Sequence, residues 1–150
     1  MLDEGQKAPD FELADLEGAK WSLGSALKNG PVLLAFFKIS CPTCQLTFPF
    51  LRRLGERAGA GAPQLITISQ DDASGTAQFQ GRFGPDEPAL LDLKPYAVSN
   101  LYQIRNVPTL YLIETDGRIS MAVAGFSKAH LEKLGVVFRQ VEPVPAMRPG

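Results

Sequence analysis

The feature that constrains this chain most is a pair of cysteines, with two residues between them, at a predicted strand-to-helix junction. The apolar run Val32 to Phe37 has the length of a buried strand. Apolar residues then recur at helical spacing from Pro42 to about Arg57, at Leu46, Phe50 and Leu54. Cys41 and Cys44 therefore lie at the start of a helix that follows a strand, which favours an α/β fold.

This position suits reactive thiols. A thiolate is the nucleophilic form of cysteine, and at a helix N-terminus it meets unpaired N–H groups and the positive end of the helix dipole. Pro42 fits the first turn because its φ is preset and it has no N–H to leave unpaired. Cys44 is three residues after Cys41 on the same helix face, so its thiol can attack a mixed disulfide formed at Cys41. With Thr43 between them, the C-P-T-C motif predicts a redox-active dithiol.

Composition limits the other kinds of chemistry. The chain has 150 residues, 45% hydrophobic and 21% charged, with a formal net charge of −1. These values predict one globular domain without the basic surface that a nucleic-acid partner needs. One histidine and two cysteines are too few for the usual four-ligand zinc site. Half of a metal site, or two inert core cysteines, are the alternatives to a redox pair. We expect neither a metal nor a cofactor, because thiol–disulfide exchange needs only sulfur.

No apolar run approaches the length of a membrane helix, so no membrane partner is expected. The N-terminus, Met1 to Gly5, is acidic and lacks the basic start and apolar core of a signal peptide. The expected location is therefore cytoplasmic as the chain stands, and periplasmic if a leader was trimmed. In a reducing compartment, two cysteines at this spacing indicate catalysis or redox sensing.

Strand and helix signals alternate along the rest of the chain. Alternating residues around Glu17-Gly18 predict an N-terminal β-hairpin, and Asp116-Gly117 predicts a second one near the C-terminus. The remaining predicted elements are strands at Leu65 to Ser69 and Ala89 to Leu91 and helices at Asp72 to Phe83, Tyr96 to Tyr102 and Ser127 to about Gln140. This order predicts a central mixed β-sheet flanked by helices on both faces, over residues 1–141. Three prolines predict a flexible tail over residues 142–150.

A second feature is a proline that opens a strand. Val107-Pro108-Thr109 precedes an apolar run, and a proline is confined there to the first position or to an edge strand. Only about 5–6% of X–Pro bonds in folded proteins are cis, so a trans bond is the expectation for Pro108 alone. Its combination with the upstream C-x-x-C motif favours a cis bond beside the dithiol.

These motifs together resemble the TlpA/ResA-type branch of the thioredoxin superfamily, also described as redoxin or AhpC/TSA-like. The segments that carry the resemblance are Gly5 to Leu13, Cys41 to Cys44, Pro49, Tyr102 to Thr109 and Asp116-Gly117. The resemblance extends from Gly5 to about Gln140.

The resemblance implies a thioredoxin fold and a thiol–disulfide oxidoreductase. Cys41 would be the nucleophile, Cys44 the resolving thiol, and Pro108, preceded by Val107, the cis-proline that faces them. The implied partners are protein disulfide or thiol substrates, small thiols and an electron donor.

Three positions depart from the family pattern. Ser40 stands where this branch usually has tryptophan, Ala35 where thioredoxin has a buried acid, and Thr47 where the ResA type often has glutamate. No matched carboxylate is therefore left to take the proton of Cys44. Lys38, three residues before Cys41, either stabilises a thiolate electrostatically or is a solvated lysine at a strand end.

Two other functions fit part of the pattern. C-P-T also occurs in peroxiredoxins, which would make Cys41 a peroxidatic and Cys44 a resolving cysteine with antioxidant activity. That family has a threonine three residues before the cysteine, where this chain has Lys38. The third hypothesis is a redox-sensing or chaperone-like module that binds partners in a groove around Pro108.

Overall fold

The computed structural model describes residues 1–139. The strands are β1 (Glu12–Ala14), β2 (Lys20–Ser22), β3 (Val32–Phe37), β4 (Gln64–Ser69), β5 (Ala89–Leu91), β6 (Thr109–Ile113) and β7 (Ile119–Ala124). The helices are α1 (Leu23–Leu27), α2 (Pro42–Glu56), α3 (Ala73–Phe83), α4 (Ala97–Leu101) and α5 (Lys128–Arg139). Sequence patterns predicted all of these except α1. The expected domain boundary at residue 141 and the flexible tail over 142–150 lie outside the described residues.

The central sheet has five strands in the order β5-β4-β3-β6-β7. β3 pairs in parallel with β4 and antiparallel with β6, and β1 and β2 form a separate antiparallel hairpin. β3 is buried along its whole length because it is the middle strand of a sheet covered on both faces. The predicted mixed sheet and N-terminal hairpin are confirmed.

Alternate side chains of β3 point to opposite faces of the sheet and divide the core in two. Leu34 and Phe36 pack with residues of the hairpin, α1 and α4. Leu33, Ala35 and Phe37 pack with residues of α2, α3 and α5. The second of these clusters includes Cys44, so one half of the core directly supports the candidate dithiol.

The apolar row Leu46, Phe50 and Leu54 that marks α2 in the sequence is not the row that packs most deeply in the core. Leu46 is 54% exposed, whereas Phe48 is 1% exposed and its ring centroid lies 4.6 Å from that of Phe37. The helix carries two apolar rows at helical spacing, and the row that begins at Cys44 packs on the sheet. The other row turns away, and its half-buried members Phe50 and Leu54 lie beside α5.

Candidate active site

Cys41 is the N-cap residue of α2 and is half-buried. Its backbone is extended, with φ −88° and ψ 114°, and its N–H donates to the Lys38 carbonyl at 3.2 Å. The N–H of Cys44 donates to Cys41 Sγ at 3.1 Å, so the sulfur takes the place that a Ser or Asp oxygen takes in an ordinary N-cap. A hydrogen bond of this kind strengthens when the acceptor becomes a thiolate.

Cys44 is in a different environment, although it is only one helical turn away. It is completely buried in the cluster between the sheet and α2, and both cysteines are free thiols. Burial is the main cause that raises the pKa of the Cys44 thiol far above its ordinary value, and the nearby Cys41 raises it further. The pair therefore combines one thiol at the surface with a second, protonated thiol beneath it.

Val107 and Pro108 complete the surroundings of the sulfur. The Val107–Pro108 peptide bond is cis, and the Cys41 thiol donates to the Val107 carbonyl at 3.4 Å. Pro108 is buried, and its carbonyl accepts from the N–H of Gly125 at 2.8 Å. The Thr109 hydroxyl donates to the Asn106 carbonyl at 2.7 Å and ties the segment to the start of β6. The loop before β6 is thus fixed against the first turn of α2.

The other expected site residues contribute less. Pro42 is exposed at the first position of α2, and the Thr43 carbonyl accepts from the Thr47 hydroxyl at 2.8 Å. Lys38 is exposed and meets Cys41 through its backbone carbonyl. Within residues 1–139, no hydrogen bond or ion pair joins the Lys38 ammonium to either sulfur. Stabilisation of a thiolate by Lys38 stays a prediction.

Residues 4–122 match the AhpC/TSA family. The chain belongs to that family. It is 28% identical over 122 residues to the thiol-disulfide oxidoreductase ResA of Bacillus thuringiensis (strain Al Hakam), and the match covers 81% of this chain and 69% of ResA.

Two solved structures are similar to this AhpC/TSA family member along nearly its whole length. One is a Chlorobium tepidum protein assigned as thiol:disulfide interchange protein DsbE, with a TM-score of 0.78 and 26% identity, covering 89% of this chain and 94% of that one. The other is peroxidoxin BcpB from Mycobacterium tuberculosis, also with a TM-score of 0.78 and 26% identity, covering 95% and 99%. These likenesses confirm the expected thioredoxin fold and the relationship to thiol–disulfide oxidoreductases.

Two residues that sequence patterns did not single out hold the loop in front of Cys41. The Asp71 carboxylate accepts from the N–H of Ile39 at 2.8 Å, and the Gln45 side-chain amide donates to the Ile39 carbonyl at 3.1 Å. Asp71 follows β4, and the carboxyl ends of the parallel strands β3 and β4 meet at one edge of the sheet. The position of Asp71 just after β4 was therefore the sequence signal for this contact, because a polar residue there lies beside the loop that follows β3.

The two positions at which the thioredoxin family carries an acid near the dithiol hold Ala35 and Thr47 in this family member. Ala35 is fully buried on the same side of the sheet as Cys44, and Thr47 uses its hydroxyl to bond its own helix. Among residues 1–139 the one buried carboxylate is Asp92, which accepts from the N–H groups of Val98 and Ser99 on the other face. Neither of the two positions at which the family carries an acid therefore supplies a carboxylate to take the proton of Cys44.

The described residues were also compared with what a metal site and a membrane span require. Across residues 1–139, no three His, Cys, Asp or Glu side chains come together in a way that could hold a metal ion. Over the same residues, every helix is too short or too polar to cross a bilayer.

Proposed function

We propose that this protein is a thiol–disulfide oxidoreductase in which Cys41 attacks and Cys44 resolves. The observation that carries the proposal is the asymmetry of the pair: Cys41 lies at the helix N-terminus within reach of solvent, and Cys44 is buried one turn behind it. The hydrogen bond from the Cys44 N–H to Cys41 Sγ supports the thiolate at Cys41. Relatedness to ResA and to the DsbE-like structure supports the same chemistry.

The exchange has two steps. The Cys41 thiolate attacks one sulfur of a substrate disulfide, the substrate S–S bond breaks, and the other substrate sulfur leaves as a thiolate. Cys44 then attacks Cys41 Sγ as its proton passes to the departing substrate sulfur, which breaks the mixed disulfide and releases the second substrate thiol. The substrate gains two electrons, and Cys41 and Cys44 lose two as their disulfide forms. In reverse, the same steps oxidise a dithiol.

The segment before β6 provides a place for the substrate chain. The Val107 carbonyl lies 3.4 Å from Cys41 Sγ, and Pro108 lies directly beside it at the entry to the strand. An extended substrate segment that pairs with this backbone would bring its own cysteine next to Cys41. We propose that Val107 and Pro108 position protein substrates in this way.

A separate thiol or disulfide partner must reset the pair after each turnover. In a compartment held near the glutathione potential of the cytoplasm, such a partner would reduce the Cys41–Cys44 disulfide. In an oxidising periplasm, it would re-form that disulfide after the protein had oxidised a substrate. The compartment therefore decides the direction of net electron flow, and the chemistry at the sulfurs is the same in both.

A thiol peroxidase is the second candidate, and the similarity to peroxidoxin BcpB over 95% of the chain favours it. Against it, Lys38 occupies the position of the peroxiredoxin threonine, and its exposed side chain makes no hydrogen bond with Cys41 among residues 1–139. Peroxide reactivity therefore ranks second to exchange.

Insulin reduction with single-cysteine variants tests the proposal. We expect Cys41→Ser to abolish turnover, and Cys44→Ser to accumulate a mixed disulfide through Cys41, because no second thiol remains to release the substrate. Ser40→Ala is the matched control, since Ser40 is exposed next to Cys41 but carries no thiol. Trapping through the Cys44 sulfur, or equal behaviour of the two cysteine variants, would show that the roles are wrong.

A further inference from the structure

We infer that the groove between α2 and α5 docks an amphipathic, acidic helix of the substrate protein. This inference rests on the proposed exchange function and adds a second contact, separate from the sulfurs, through which a substrate is selected. Three independent observations carry it: the shape and apolarity of the groove, the charge around it, and its continuity with the dithiol.

The groove has a volume of about 380 Å³, and apolar residues from both helices line it. Phe50 and Leu54 lie along one side, and Leu131, Gly135 and Phe138 lie along the other. Gly135 leaves a gap in the α5 row, because a Cβ there would have its nearest neighbours only at 3.9 and 4.0 Å. Two helical rows with a depression between them are the form of surface that receives the apolar face of a third helix.

Exposed apolar residues extend this surface. Val136 is 53% exposed on the α5 side of the groove, and Phe126, just before α5, is 39% exposed. Contiguous apolar surface of this kind marks interaction sites on proteins.

The charge around the groove specifies what binds there. Its cationic lining residues are Arg53, Arg57, Lys128 and Arg139, and its anionic one is Glu132. Within residues 1–139, none of the four cations forms an ion pair. The Arg53 guanidinium stacks on the Phe50 ring at 4.6 Å, which holds its positive charge at the edge of the apolar floor. An apolar segment flanked by carboxylates complements this arrangement, whereas a basic segment is repelled by it.

The groove is continuous with the surroundings of Cys41. Phe50 lies nine residues after Cys41, which is about 14 Å along α2 at 1.5 Å per residue. The Phe50 and Phe126 ring centroids are 5.6 Å apart, and Phe126 follows Gly125, whose N–H binds the Pro108 carbonyl. About four to five extended residues would span that distance at roughly 3.3 Å each. One substrate chain can therefore occupy the groove and present its cysteine to Cys41.

Peptide binding to the whole 150-residue chain tests the groove directly. The probe is a fluorescein-labelled peptide with Leu at i, i+3, i+4 and i+7 and Glu on the opposite face, followed by fluorescence anisotropy. Gly135→Leu should fill the depression and weaken binding at least about tenfold, because the new side chain takes the place of the peptide's anchor. Gly81→Leu is the matched control: Gly81 is also helical, lies on α3, and has open space of at least 4 Å around the position that a Cβ would take.

Two further measurements test the charge. Arg53→Gln should weaken binding severalfold, whereas Arg82→Gln should not, although Arg82 stacks on Phe83 in a similar way at 5.2 Å. Raising the ionic strength from about 0.1 M to 1 M shortens the Debye length from about 10 Å to 3 Å, so the affinity should fall. The same peptide with Lys in place of Glu should bind at least about tenfold more weakly.

Several results would overturn the inference. Equal binding of the Glu and Lys peptides, no loss in Gly135→Leu, or no binding of the Glu peptide would each do so. Binding of dodecanoate, or of a peptide of residues 140–150, without binding of the Glu peptide would assign the groove to a lipid or to the chain's own C-terminus instead. The anisotropy assay involves no thiol, so it measures peptide binding to the groove even if the protein does not reduce insulin. Insulin reduction measures thiol–disulfide exchange even if no peptide binds the groove.

Discussion

Removal of the Asp71 carboxylate is expected to weaken both the fold and the active-site loop. Its hydrogen bond to the half-buried Ile39 N–H is 2.8 Å long and involves a charged acceptor. Bonds of that type contribute about 1.5–3 kcal/mol, so Asp71→Ala should lower the free energy of unfolding by about 2 kcal/mol. For a chain of this length, that corresponds to a Tm about 4–8 °C lower. Asp71→Asn retains an acceptor oxygen and should lose only about half as much.

The neighbouring residue provides a control for the effect on activity. Asp72 caps α3 by accepting from the Gly75 N–H at 2.8 Å, and among the hydrogen bonds of residues 1–139 it has none with the loop before Cys41. Asp72→Ala should therefore cost about 1 kcal/mol of stability without slowing insulin reduction. We expect about 1 kcal/mol of the free energy of the Asp71–Ile39 hydrogen bond to hold Cys41 in its reactive position. Loss of that amount in Asp71→Ala should reduce kcat/KM about fivefold.

Urea unfolding followed by fluorescence, together with insulin reduction at a temperature where all variants are folded, measures both effects. The reasoning is refuted if Asp71→Ala unfolds at the same urea concentration as the wild type. It is also refuted if Asp72→Ala slows turnover as much as Asp71→Ala does, because the loss of activity would then follow general stability instead of the loop.

Three further predictions concern the buried thiol, the core and peroxide. Burial raises the pKa of Cys44 above its ordinary value of 9.0, so the unfolded chain loses this proton at a lower pH than the folded chain. The free energy of unfolding of the reduced protein should therefore be fully retained below pH 9 and fall above it, by up to about 1.4 kcal/mol per pH unit. Cys44→Ala should show a shallower slope. Phe48→Ala should cost about 3–5 kcal/mol in urea unfolding and Leu46→Ala less than about 0.5 kcal/mol, and equal costs would contradict the assignment of the buried face. Hydrogen peroxide should oxidise Cys41 at the rate of an ordinary thiolate in a stopped-flow assay, whereas fast, saturable turnover would make peroxidase activity the main function.

Local sequence patterns were sufficient to predict the strands, most of the helices and the position of the two cysteines. β3 is apolar along its whole length because both of its faces are covered, and such a run is visible in the sequence. The position of Cys41 and Cys44 at the start of α2 follows from the change of periodicity after that strand. The two hairpins were equally visible, because Gly18 and Gly117 both mark tight turns between predicted strands, and both have positive φ.

The remaining features depend on contacts between distant residues. The two apolar rows of α2 have the same spacing, and only packing against Phe37 and Phe79 decides that Phe48 faces the core while Leu46 does not. Asp71 reaches Ile39 across 32 positions of sequence, so no local pattern contains that hydrogen bond. The cationic groove combines residues of α2 and α5, which are far apart in the chain and become neighbours only in the fold.

Redox titration of the dithiol tests the central claim most directly. The protein is equilibrated in dithiothreitol or glutathione buffers of known potential, alkylated, and its free thiols are counted by mass spectrometry. A reversible Cys41–Cys44 disulfide predicts a single two-electron transition, with the reduced-to-oxidised ratio changing tenfold per about 30 mV and with both thiols lost together. Cys41→Ser and Cys44→Ser should each show no such transition. Two thiols that stay reduced at every potential, or that oxidise independently of each other, would contradict the account.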